Sequence, residues 1–322
     1  LSFLLVGLWG PGPRPWRSHL LLKVCLAVGL ALGLSSCTYF LWLLIEGPSR
    51  KGLILGELTV FTLGIGLLAY AITTHAPGEE SGPSSEPTPD PNTRWIIPTL
   101  SVCAFVALAT AVIRFLFLSL ATPHGEVDAL TIWNLRARFL ARGEEQWLDS
   151  FISLLATHVP DYPLLLPASI ARWWTYLGDD PTLVPALVAM LFTFATIGLA
   201  ASSLSLLRSQ GQGLLAGVVL LGTPFLIRHG ASQYGDVPLG FFFLATLVAF
   251  SLHEKAAGHR DGLLALAGMA AGFAAWTKNE GLLFVLAVAF ARLLVVVPAS
   301  GWKSYGSEMR AFAKGLLPVL LI

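Results

Sequence analysis

Residues 95–121 read WIIPTLSVCAFVALATAVIRFLFLSLA, and residues 122–128 continue TPHGEVD. The first run is long enough to cross a bilayer as a helix, which takes about 20 apolar residues. The second puts Glu126 and Asp128 two residues apart where that helix surfaces. Carboxylates at a membrane boundary are costly unless they are partnered or used. The junction therefore points to a membrane helix that ends in an acidic centre.

The rest of the chain agrees with a membrane fold. Of 322 residues, 55% are hydrophobic and 12% charged, whereas soluble domains carry about 25% charged residues. The apolar runs are continuous, unlike the alternating segments of about ten residues in an outer-membrane barrel. The expected class is all-α, a polytopic transmembrane helical bundle. A net charge of +1 supplies no field for nucleic acid, and no nucleic-acid partner is expected. Cys25, Cys37 and Cys103 lie inside apolar spans and read as small core residues. No P-loop, Gly-x-Gly-x-x-Gly, Cys pair or His-Glu-x-x-His occurs, so nucleotide-binding and zinc-protease readings lack support.

Spans are expected over residues 20–45, 53–73, 95–121, 183–207, 214–227, 237–252, 262–277 and 282–297. Residues 74–94 carry Pro, Ser, Glu79, Glu80, Glu86 and Asp90 and read as a disordered linker. They divide an N-terminal transmembrane unit, residues 1–73, from a transmembrane core, residues 95–322. The chain starts at Leu1 without a methionine and ends in an apolar run, so we expect a piece truncated at both ends.

The short loops suggest an orientation. With residues 122–181 outside, Arg208, Lys255, Arg260, Lys303, Arg310 and Lys314 fall in inside loops, against Arg228 and Lys278 outside. That asymmetry follows the positive-inside rule. It also gathers Glu126 and Asp128, His158 and Asp161, Tyr234 and Asp236, and Lys278 and Glu280 on one face.

Each motif has a chemical and a plain reading. Glu126 and Asp128 could share a divalent cation (Mg or Mn) with Asp236, or one could act as a base while the other orients a substrate. Acids are also simply favoured at a helix start. Along residues 129–141, steps of 100° put Thr131, Arg138 and Arg142 on one strip with apolar residues around it. This predicts an amphipathic interfacial helix in the first large loop, with Trp133 at headgroup depth. Arg138 either snorkels to headgroups or holds a lipid-linked phosphate. The run His158-Val159-Pro160-Asp161-Tyr162-Pro163 makes a rigid turn able to aim His158, Asp161 and Tyr162, or a mere helix break. Asp236, after Tyr234-Gly235, caps a helix or faces Asp128 as a second acid. Lys278, near Glu280, stabilises a departing phosphate or anchors its helix at the interface. Arg292, inside an apolar run, should face the protein interior or snorkel.

Read in order, these stretches resemble a known family. They are Gly125-Glu126-Val127-Asp128-Ala129 running into Ile132-Trp133-Asn134-Leu135-Arg136-Ala137-Arg138, then Asp161-Tyr162-Pro163-Leu164-Leu165, Asp236-Val237-Pro238-Leu239 and Thr277-Lys278-Asn279-Glu280-Gly281. They look like the bacterial members of the protein O-mannosyltransferase-like group, which are GT-C fold glycosyltransferases. The resemblance runs over residues 95–297. It implies a site at the outer face of a bacterial inner membrane, a polyprenyl-phosphate sugar donor and inverting transfer to a glycan, lipid or protein. Asp128 occupies the place of the family's loop acid and Asp236 that of its second outer acid. Lys278 matches a lysine near the end of a later helix. The group often has adjacent Asp-Glu in the first loop, whereas here Ala129 follows Asp128 and the second acid is Glu126 upstream.

In that family the loop acid at the place of Asp128 acts as base or orients the acceptor; from the predicted convergence on one face we expect Asp128 as base, Glu126 and Asp236 positioning acceptor or metal, and Lys278 or Arg138 meeting the donor phosphate. His158, Asp161, Tyr162, Tyr234 and Glu280 line up as substrate-positioning residues. The competing class is a transporter or flippase of lipid-linked saccharides, which wants charges near mid-membrane and two repeated halves. No such repeat is visible in the sequence.

Overall fold

The computed structural model of the chain describes residues 20–47, 49–74, 95–151, 161–255 and 261–322. The expected linker lies outside these residues from position 75 onward, as does His158. Every regular element among the described residues is helical. In chain order these are α1 (Leu20–Glu46), α2 (Arg50–Thr74), α3 (Ile96–Ala121), a π-turn (Ala129–Trp133), α4 (Asn134–Arg142) and a 3₁₀ turn (Glu144–Phe151). Then come α5 (Leu165–Leu177), α6 (Leu183–Leu207), α7 (Gln210–Leu221), α8 (Pro224–Ala231), α9 (Asp236–Lys255), α10 (Asp261–Thr277) and α11 (Glu280–Leu320).

Among the described residues, α1, α3, α6, α9 and α11 are long and apolar enough to cross a membrane. In lipid, a helix satisfies its own backbone groups, which is why continuous apolar sequence takes this form. The chain is an integral membrane protein.

The core is a cluster of fully buried rings. Phe192 packs edge-to-face on Phe241 and Phe242, with centroids 5.7 Å apart, and Phe242 lies 5.4 Å from Phe273. Two glycines of α1 make room for these rings. A Cβ on Gly29 would stand 1.9 Å from the Phe241 ring, and one on Gly33 would stand 2.7 Å from that of Phe273. Small residues let membrane helices approach closely where lipid supplies no hydrophobic drive between them. By contrast, only 6% of the most apolar stretch of α3 is buried. That helix seats Ala111 and Phe115 in a small cluster with Ile227 and Ala231 and packs along α7, while apolar side chains such as Val102, Phe105 and Phe117 stay exposed.

Two expectations need correction. The span expected over residues 214–227 is two helices, α7 and α8, bent by 63°. The cause is local: Pro224 opens α8, and Thr223 before it is extended at φ −94° and ψ 100°, as a pre-proline residue prefers. The inside loop expected to hold Lys303, Arg310 and Lys314 is instead the second arm of α11. The helix breaks at Gly301, whose φ of 82° and ψ of 170° suit glycine. The second arm packs on α10, where a Cβ on Gly315 would stand 1.8 Å from the Ala265 carbonyl oxygen. Arg292 bridges the arms at 2.8 Å from Glu308 and also pairs with Glu254 of α9. It faces protein, one of the two placements its sequence context allows.

Gly315→Leu should overpack this contact and lower stability by about 1–3 kcal/mol. A thermal unfolding scan in detergent would read this as a lower midpoint. Gly306→Ala, which meets nothing within 4 Å, should leave the midpoint unchanged or slightly raised.

Candidate functional site

Helices α9 and α10 run antiparallel, so the start of α9, the end of α10 and the start of α11 share one end of the bundle. Lys278 sits in the break between α10 and α11, with a side chain only 12% exposed. Its ammonium lies 2.9 Å from Asp236 and 3.2 Å from Glu280, and 5.6 Å from the centre of the Tyr162 ring. Burial alone would lower its pKa. Asp236 and Glu280 more than offset this, and Lys278 is held above the ordinary lysine value, so it remains a cation.

Helix α8 supplies the next two groups. His229 approaches Asp236 at 3.4 Å, and Arg228 pairs with Glu126 at 3.1 Å. The Tyr234 hydroxyl donates to Glu126 at 3.5 Å, and the Tyr234 ring meets the His229 ring edge-on at 5.0 Å. Burial, followed by the nearby Asp128 and Glu126 carboxylates, pushes the Tyr234 phenol up.

A zipper of hydrogen bonds joins the loop after α3 to the loop before α9. The Glu126 amide donates to the Ser232 carbonyl at 3.2 Å. The Gln233 side-chain amide donates to the Pro123 carbonyl at 3.2 Å. Buried Asn134 donates to Gln233 at 2.8 Å and to the His124 carbonyl at 3.1 Å. Gly125 has φ 75°, and a Cβ there would stand 2.8 Å from the Ser232 oxygen, so glycine is needed twice over. Gln233 holds φ 62°, a strained value that its side-chain bonds keep in place. Asp128 sits on the exposed lip of this loop. Its carboxylate has no hydrogen bond or ion pair among the described residues.

The interfacial layer covers the cluster. Trp133 stacks on Tyr162 with centroids 5.6 Å apart and planes at 10°. Arg136, 1% exposed, donates to the Tyr162 carbonyl. Burial pushes its pKa down to about 10, with Asp161 working the other way. Asn279 donates to Asp161 at 2.8 Å. Arg138 bonds Asp180 at 3.0 Å and lies 3.3 Å from His124 Nδ1, while Arg142 pairs with the same aspartate.

The structure thus brings Glu126, Tyr234, Asp236, Lys278 and Glu280 together, with Asp128 beside them and Asp161 and Tyr162 on the adjoining layer. Arg138 stands apart from Lys278, tied to Asp180. Trp133 is 2% exposed and packs on protein, not at the headgroup surface expected from its helical position. The metal set Glu126, Asp128 and Asp236 is not assembled. Arg228 holds Glu126, Lys278 and His229 hold Asp236, and no three His, Cys, Asp or Glu side chains converge as ligands among the described residues. These residues do not fit a resident divalent cation. His229 and Asp180 escaped the sequence reading, and Asn134 stood in a quoted stretch without a role. The one signal for His229 was Pro224, which starts a short helix and so turns positions 228 and 229 toward the site.

No family model, curated protein or solved structure matches this chain significantly.

Asn134→Leu should strip buried partners from Gln233 and the His124 carbonyl, costing about 1–3 kcal/mol. Asp128→Asn at an exposed, unpaired position should stay within about 0.5 kcal/mol of the parent. Chemical or thermal unfolding of the two variants side by side would test this contrast.

Proposed function

We propose that this membrane protein is an inverting glycosyltransferase. It moves a sugar from a polyprenyl-phosphate carrier to a glycan, lipid or protein acceptor at the outer face of a bacterial inner membrane. One observation carries the reading. Asp128 offers an exposed, unpaired carboxylate, while the acids around it are each engaged: Glu126 by Arg228, Asp236 by Lys278 and His229, Glu280 by Lys278 and Asp161 by Asn279. A carboxylate free of partners among immobilised charges is available to take a proton from a bound hydroxyl.

The steps follow from this placement. Asp128 takes the proton of the acceptor hydroxyl as that oxygen attacks the anomeric carbon. The bond to the carrier phosphate breaks on the opposite side, and the electron pair leaves with the phosphate. Lys278 meets the departing charge. Asp236 and Glu280 fix the ammonium in position, so little reorganisation is needed when charge develops. Glu126, pinned by Arg228, anchors the Tyr234 hydroxyl at the rim where the acceptor would lie.

Asp128→Asn should lower transfer from a polyprenyl-phosphate sugar by at least ~100-fold in a reconstituted assay, and Lys278→Met by a similar ~100-fold. Full transfer by Asp128→Asn would remove the base assignment. Movement of the lipid-linked sugar across vesicles without any transfer would replace the enzyme with a carrier.

A further inference from the structure

A second feature lies away from the acidic cluster and rests on none of the chemistry above. A groove of about 650 Å³ opens between α1, α5 and α6, within the size range of small-molecule sites. Its walls are apolar and include Val28, Leu32, Leu187 and Leu191. Leu187 and Leu191 are exposed on a helix long enough to span, so the opening faces hydrocarbon. Water would find few polar partners along such walls.

Arg172 lines the same groove. Its Nε and Nη2 both bond Glu57 of α2 at 2.5 Å. The Tyr176 hydroxyl donates to the same carboxylate at 2.5 Å. The Trp173 and Tyr176 rings flank the guanidinium at 5.3 and 5.0 Å. The fork is therefore locked, and Nη1 keeps two N–H donors with no partner among the described residues. A second cation stands close by: the Arg50 guanidinium lies 3.6 Å from where a Cβ on Gly178 would be, next to groove residue Leu177. Arg172 is matched by Glu57, and Asp179 and Asp180 beside Gly178 are matched by Arg142 and Arg138, so Arg50 leaves one positive charge beside the groove, which complements the single negative charge of a phosphodiester.

We propose that this groove binds an anionic glycerophospholipid, one acyl chain lying between α1 and α6 and the phosphate at Arg172 Nη1. The lipid would brace α5 against the spans from the membrane side. The occupant is a bilayer lipid, not the sugar carrier of the reading above, so the two proposals fail separately.

The test is native mass spectrometry of the protein taken from nanodiscs containing phosphatidylglycerol. One retained phosphatidylglycerol per chain is expected. Arg172→Gln should reduce its occupancy about tenfold. Ala31→Phe, which fills the groove and leaves the Arg172–Glu57 pair untouched, should reduce it comparably. If Arg172→Gln fails to fold, Ala31→Phe alone decides. Equal retention by parent and groove variant overturns the proposal. So does retention of an added polyprenyl phosphate in place of phosphatidylglycerol, or no retained lipid at all.

Discussion

The seating of Phe241 and Phe273 against Gly29 and Gly33 sets the level of everything above it. Two antiparallel helices are pinned to the same stretch of α1 by rings that tolerate no side chain beneath them. Asp236 lies five residues before Phe241, and Lys278 five residues after Phe273. At 1.5 Å per residue along a helix, both stand about 7.5 Å beyond the aromatic cluster. Their 2.9 Å contact is thus a consequence of core packing. A one-residue slip of either helix would separate them.

Electrostatics explains why most of the charged groups at this end are paired, although buried Arg136 keeps Nε and Nη2 without a hydrogen-bond partner among the described residues. Exposed ion pairs contribute little to stability. Near lipid, however, an uncompensated charge is expensive, and pairing limits that cost. Lys278 is mostly buried and takes two carboxylates. Arg136 is wholly buried and takes a carbonyl, with an aspartate near enough to favour its charge. Against that background the unpaired carboxylate of Asp128 stands out, because the surrounding groups that could neutralise it are already committed elsewhere.

Much of this was legible in the sequence, for a definite reason. Long uninterrupted apolar runs have one stable form in lipid, so α1, α3, α6 and α9 could be located from hydropathy alone. Loop parity then put Glu126, Asp236 and Lys278 at one end without any knowledge of contacts. Three things were not legible. The bend between α7 and α8 depends on how the Gly222-Thr223-Pro224 break is oriented, which hydropathy ignores. The return of α11 depends on Gly301 adopting a positive φ; Pro298 and Ser300-Gly301 mark a break there, but not that the chain folds back onto α10. The burial of Trp133 and Asn134 depends on a neighbour distant in sequence, since Tyr162 and Gln233 cover what would otherwise be an amphipathic surface. Helical periodicity names a face but not what lies against it.

Helix α8 has only eight residues, yet it carries partners for two acids that are far apart in the chain. Arg228 reaches back to Glu126 and the adjacent His229 reaches forward to Asp236. The helix therefore joins both halves of the cluster through two adjacent residues. Removing α8's side chains one at a time would leave Asp236 with Lys278 and Glu126 with the Tyr234 hydroxyl, so the helix ties together two acids that each keep a second partner.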